Sequence, residues 1–233
     1  MGVRASRARV RTATVALLAA SITLLFAQDA PAHAPSTAPM AIEMPLTLAV
    51  RQARTVSWAV GLSPVSITDG SSRAREELHL YTLDGDVDPD AKARFEALVA
   101  RDDRPHPLSE RVVKLLFKAA YHFGTGAQGP PAVTIVSAWR ERAGRHTAGE
   151  ALDFKLAGVR ASQLAAYLRG LPRVGVGIYT HPRTQYVHLD VREPSYHWLD
   201  ASPPGVTWRE RQLRDPGQAT RDAAWTPASD LPE

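Results

Sequence analysis

Val174-Gly-Val-Gly-Ile-Tyr179 and Gln185-Tyr-Val-His-Leu-Asp-Val191 flank the short run Thr180-His-Pro-Arg-Thr184. Both flanks are rich in β-branched and aromatic residues, and a proline sits between them, so the stretch reads as a β-hairpin. Side chains alternate along an extended strand, which puts Tyr186, His188 and Asp190 on one face and Gln185, Val187 and Leu189 on the other. Val187 and Leu189 can then pack into a core, leaving His188 and Asp190 to point into a cleft.

Upstream of the hairpin, residues 161–171 have helical character, with Ser162 as a candidate cap. Val133-Thr-Ile-Val136 reads as a buried strand that leads into Ser137-Ala-Trp-Arg140. Residues 108–123 form an amphipathic helix with Val112, Leu115, Leu116, Ala119 and Phe123 on one side and Gly124 as its stop. Glu77-Leu-His-Leu-Tyr-Thr-Leu83 alternates like a half-buried strand. Asp84-Gly-Asp-Val-Asp-Pro-Asp90 resembles a calcium loop only superficially. Its sixth position is Pro89 where glycine is required, and its twelfth is Phe95 where glutamate is required. Asp88 instead caps a helix that begins at Pro89 and runs to about Arg101. Helices come first and antiparallel strands later, so the fold class is α+β.

The two ends differ in character. Arg4, Arg7, Arg9 and Arg11 precede an apolar stretch from Thr12 to Ala27, and Ala32-His-Ala34 offers small residues for cleavage. Residues 1–34 therefore read as an export signal or, uncleaved, as an N-terminal anchor. Residues 35–75 read as a linker with a segment of no clear period, 76–200 as the folded domain, and 201–233 as a Pro-rich polar tail that is mobile from about Pro203. The formal charge of +4 includes the four N-terminal arginines, so the remainder is near neutral and gives no support for a nucleic-acid partner. With no cysteine, thiolate metal sites and disulfides are excluded, while 44% hydrophobic residues suffice for a proper core.

His146-Thr-Ala-Gly-Glu-Ala-Leu-Asp153 places a histidine and an aspartate seven residues apart, and His188 supplies a third donor. Gly149 and Ala151 keep that segment slim enough to curl around an ion. Two imidazoles and a carboxylate suit zinc, and three protein ligands leave the fourth position for water. Spacing alone also admits the plain reading, in which each histidine is a hydrogen-bonded structural residue.

Four motifs in order make the chain resemble a known family. They are Ser137-Ala-Trp-Arg140, His146-x-x-Gly-x-Ala-x-Asp153, Gly175-Val-Gly-Ile-Tyr179, and Val187-His-Leu-Asp190 with Trp198 after it. Over residues 78–198 the chain resembles the zinc D-Ala-D-Ala carboxypeptidase and murein endopeptidase family, and most closely its murein endopeptidase K branch. The resemblance implies a small antiparallel sheet with helices on one side, the fold shared with hedgehog signalling domains. It implies Zn2+ held by His146, Asp153 and His188, and Arg140 beside the substrate to hold a carboxylate or the oxyanion. Carboxypeptidase members carry a glutamate base where this chain has Gln185, and others a histidine where it has Tyr186. That leaves Asp190 as the expected catalytic base, or as the group orienting the water on the metal. Only five residues separate Arg140 from His146, where relatives often carry a longer insertion over the substrate.

The function expected is an exported metallopeptidase of the periplasm or cell-wall space that hydrolyses peptidoglycan cross-links or stem peptides. The alternatives are a D,D- or L,D-carboxypeptidase, and a non-catalytic zinc module that binds the cell wall.

Overall fold

The structure, a computed structural model, describes residues 58–232 apart from 103, 105, 125–128, 205 and 207–210. The expected export signal and most of the expected linker lie outside the described residues. Within them, no helix is long and apolar enough to cross a membrane.

Eight strands form one sheet: β1 (Val65–Asp69), β2 (Arg75–Leu78), β3 (Val133–Ser137), β4 (Ala151–Leu156), β5 (Val174–Tyr179), β6 (Val187–Val191), β7 (Tyr196–Asp200) and β8 (Arg211–Gln212). The order across the sheet is β2-β1-β3-β4-β6-β5-β7-β8. Four helices accompany it: α1 (Pro89–Val99), α2 (Glu110–His122), α3 (Ala161–Leu168) and α4 (Gln218–Ala223). The class is α+β, as expected. The sheet is not the small antiparallel one: it has eight strands, and β1–β3 and β5–β7 run parallel. Both parallel pairs join strands separated by a helix or by the β6 return, which chain-order reading of antiparallel hairpins does not capture.

The 174–191 stretch forms its hairpin, with Val176 opposite Leu189 and Gly177 opposite His188. Asp88 caps α1, its Oδ1 accepting from the backbone N–H of Asp90 at 2.9 Å and of Ala91 at 3.4 Å. The start of α3 differs from expectation: Arg160 occupies the cap position, and Ser162 lies inside the helix. Glu77–Leu83 keeps strand pairing only to Leu78, with an isolated bridge from Tyr81 to Val87.

Ladder pairing puts Ile135, Phe154, Val187 and Ile178 in one row and Leu152, Leu189 and Val176 in another, all on the same face. These residues share one core with Phe95 of α1, Leu115 and Leu116 of α2, and Leu164 and Leu168 of α3. Each such side chain contributes roughly 1.5–3 kcal/mol when fully buried. The alternate residues of the same strands point to the opposite face. There Asp153, His188, Gly177 and Trp198 line up across four strands, with Ala151, Asp190, Gly175 and Tyr196 in the next row.

The C-terminal segment is not a mobile tail beyond residue 210. It carries β8, α4 and a short 3-10 helix (Pro227–Asp230). Arg111 of α2 bonds the buried Asp230 through Nε at 2.9 Å, and Lys118 Nζ donates to the Leu231 carbonyl at 2.7 Å. These contacts cover the Arg111 and Lys118 side of α2, and Lys118 is buried there; on the other side the helix also buries Val113, Phe117 and Ala120, beyond the single apolar side that its sequence displays.

Candidate metal centre

His146, Asp153 and His188 come together, each buried, with one donor atom from each within 4.8 Å of the others. Among the described residues this is the one group of three or more such side chains that could hold a metal ion. Asp153 and His188 face each other directly across the β4–β6 ladder, in the middle of the sheet. His146 arrives from the connection between β3 and β4. A register irregularity between Ile135 and Ser137 ends β3 and turns the chain out of the sheet there.

That connection is built to a fixed shape. The Thr147 hydroxyl lies 2.7 Å from the carbonyl oxygens of both Arg140 and Arg142, and the Glu150 N–H donates to the Arg145 carbonyl at 2.8 Å. Gly149 has φ +70°, and a Cβ there would collide with the Pro107 carbonyl oxygen. Only glycine satisfies both demands. Its own carbonyl accepts from Ser109 at 2.7 Å, anchoring the connection to the start of α2.

The hydrogen bonds behind each donor determine what that donor can do. His146 Nδ1 lies 3.1 Å from the Ala138 carbonyl oxygen, which can only accept, so the proton of the neutral ring sits on Nδ1. Its lone pair is therefore on Nε2. His188 has a carboxylate at each ring nitrogen, Asp190 Oδ2 at 2.9 Å from Nε2 and Asp153 Oδ1 at 2.8 Å from Nδ1; in the tautomer whose N–H faces Asp190, its lone pair is on Nδ1. Asp153 Oδ2 is taken by the guanidinium of Arg140, leaving Oδ1. The three atoms that remain, His146 Nε2, His188 Nδ1 and Asp153 Oδ1, are then all acceptors. They lie 2.8 Å (His188 to Asp153), 3.2 Å (His146 to His188) and 3.4 Å (His146 to Asp153) from one another.

Three lone-pair atoms facing one another in a buried place repel unless a positive charge sits among them. Protonating a ring is disfavoured, because burial and then the neighbouring His188 and Arg140 hold the His146 imidazole down at about 3. Burial likewise pushes His188 below its ordinary value. The donor set therefore fits a divalent cation, and its N2O composition, with the His146 tautomer set by the Ala138 carbonyl, is the kind zinc accepts.

Asp190 is placed differently from the sequence expectation. It is fully buried, and it sits behind His188, on the ring nitrogen opposite the one that faces the other two donors. Arg192 Nε donates to its Oδ1 at 2.6 Å, and Arg145 Nε lies 3.3 Å from the same oxygen. Burial works against its charge, but the hydrogen bonds from Arg192 and His188 keep the carboxyl below the usual range. Gly175 makes room for this carboxylate, since a Cβ there would overlap Asp190 and Arg192. Arg140 stands beside the three donors, paired with Asp153 and half exposed, with Nε 3.3 Å from the Ser137 hydroxyl.

Arg145, Arg192 and the Ala138 carbonyl were not anticipated. Arg192 had a signal: it continues the 188–190 alternation on the same strand face. The Ala138 carbonyl had none, because a backbone acceptor leaves no trace in residue type. Trp198, noted in the sequence, lies across Gly177 with its indole 5.0 Å from the His188 ring.

The chain matches no protein-family model, no curated protein and no solved structure.

Proposed function

We propose that this chain is an exported zinc metallopeptidase that hydrolyses peptidoglycan peptide cross-links or stem peptides. The observation that carries the metal part is the convergence of His146, Asp153 and His188, each buried, with one possible ligand atom from each within 4.8 Å of the others. The four ordered motifs that resemble murein endopeptidases carry the substrate part.

His146, Asp153 and His188 would hold the ion, with Ala138, Arg140 and Asp190 fixing the orientation of one ligand each. Zinc there would supply Lewis acidity and bring the pKa of a bound water toward neutrality. Arg140 pairs with Asp153, and its half-exposed guanidinium can also hold a substrate carboxylate or the oxyanion. Asp190 acts in this reading as a positioning residue. It holds the His188 ring in one tautomer and one orientation, which replaces the sequence-based reading of it as the base. Tyr186 shares the strand face of His188 and stacks on Tyr179 at 4.3 Å between ring centroids, forming an aromatic edge beside Arg140.

The test is muropeptide mass spectrometry after incubating purified sacculi with the zinc-loaded chain. Release of uncoupled stem peptides is expected, and His146→Ala should abolish both tight zinc binding and release. Full release by that variant would overturn the proposal. The engagement of Asp190 with His188 and Arg192 favours a second reading, a zinc module that binds the wall without cutting it. Zinc binding with no product from any sacculus preparation would establish that reading instead.

A further inference from the structure

A cavity of about 180 Å3 opens beside the metal centre, and His146 lines both. It is several times the roughly 30 Å3 that one water takes up in the liquid, so it has room for an unbranched side chain. Val99 of α1, Leu108 and Ala138 give it apolar walls. The Trp139 indole forms another wall, held by the His106 ring stacked on it at 4.2 Å. Glu96 is the one carboxylate in its lining.

Glu96 is only partly engaged. Its Oε1 accepts from the Leu108 N–H at 2.7 Å and from Lys92 one turn earlier on α1. Both contacts use Oε1, and among the described residues no donor reaches Oε2. Lys92 engages Oε1 alone, so Oε2 can still accept from a second cation. A cavity with these apolar walls, one carboxylate residue and an indole selects against anions. It favours an aliphatic stem ending in an ammonium group, which packs its methylenes and offers N–H donors to the carboxylate and a charge to the ring.

We propose that this cavity is a subsite for such a cationic aliphatic side chain, carried by the substrate residue next to the scissile amide. The proposal rests on the metallopeptidase reading for the scissile bond, but not for the cavity's ligand chemistry.

The test uses the zinc-loaded full chain and two cross-linked stem peptides that differ only in lysine or norleucine beside the scissile amide. The lysine peptide should have a kcat/KM about tenfold higher, the scale of a charge-assisted hydrogen bond. Glu96→Gln, which retains the acceptor for Leu108, should bring the ratio close to one. Equal rates with the wild-type chain overturn the subsite, and so does a lysine preference that survives Glu96→Gln. An NMR titration with acetyl-lysine amide and acetyl-norleucine amide, followed at the Trp139 indole N–H, requires no hydrolysis. A shift selective for the lysine amide with neither peptide cleaved overturns the peptidase reading and supports the subsite. Cleavage of both peptides alike with no selective shift overturns the subsite alone.

Discussion

At the scale of single residues, Asp190 separates what residue type suggests from what position allows. An acid two residues beyond a candidate metal-ligand histidine, on the same strand face, is a reasonable candidate for taking a proton from water. Its carboxylate instead faces the back of the His188 ring and two arginines. The two roles give different kinetics. As a positioning residue, Asp190→Asn should weaken zinc affinity about 10–100-fold, with activity largely recovered at saturating zinc. Competition titration with a chelating dye and kcat at saturating zinc measure these separately. Unchanged affinity with a collapsed kcat would return Asp190 to the role of base.

At the scale of elements, the C-terminal segment is folded structure where a mobile tail was expected. Asp222 of α4 is buried and accepts from the Arg173 N–H at 2.6 Å, the Ser195 N–H at 2.8 Å and the Ser195 hydroxyl at 2.6 Å. It thereby ties the start of β5 to the turn before β7, two strands that support the row holding Asp153 and His188. Asp222→Ala leaves buried donors without partners, which costs about 3 kcal/mol. For a domain of this size that corresponds to a fall in Tm of roughly 6–12 °C, measurable by calorimetry. An unchanged Tm would mean that α4 does not brace the sheet. The helix α1 and the β5–β6 hairpin were legible because each is announced locally, by Asp88-Pro89 and by period-two alternation. β1 was not: Val65-Ser-Ile-Thr-Asp69 is short, and its pairing with β3 joins Ile67 to Val133, far along the chain. The tail was misread for the same reason, since Arg111 and Asp230 meet across 119 positions. The ligand triad was legible because its spacing is local for two members and the third stands on a clearly alternating strand.

At the scale of the whole molecule, acid should loosen the fold before the carboxylates protonate. His197 of β7 is buried, neither ring nitrogen has a partner among the described residues, and burial, followed by nearby Arg169, holds it down at about 4. Its unfolded value is about 6.5, so between these two values the unfolded chain binds more protons than the native one. Stability contributed by its neutrality is present above pH 6.5 and lost as the pH falls toward 4. In metal-free protein His146 acts with the same sign. Thermal melts in chelator should therefore show Tm dropping over that range, with a shallower drop for His197→Leu; a flat profile would show that His197 is not held neutral. The direct opposition of Asp153 and His188 has a further consequence. These two donors belong to neighbouring strands already joined by their own ladder, whereas His146 hangs from a connection that reaches those strands through the side chains of Arg140, Arg145 and His146. An ion would act as a clasp on that connection and as little more than an ornament on the strands. Amide hydrogen exchange should accordingly quicken on chelation between residues 138 and 149, while residues 151–156 and 187–191 keep their protection.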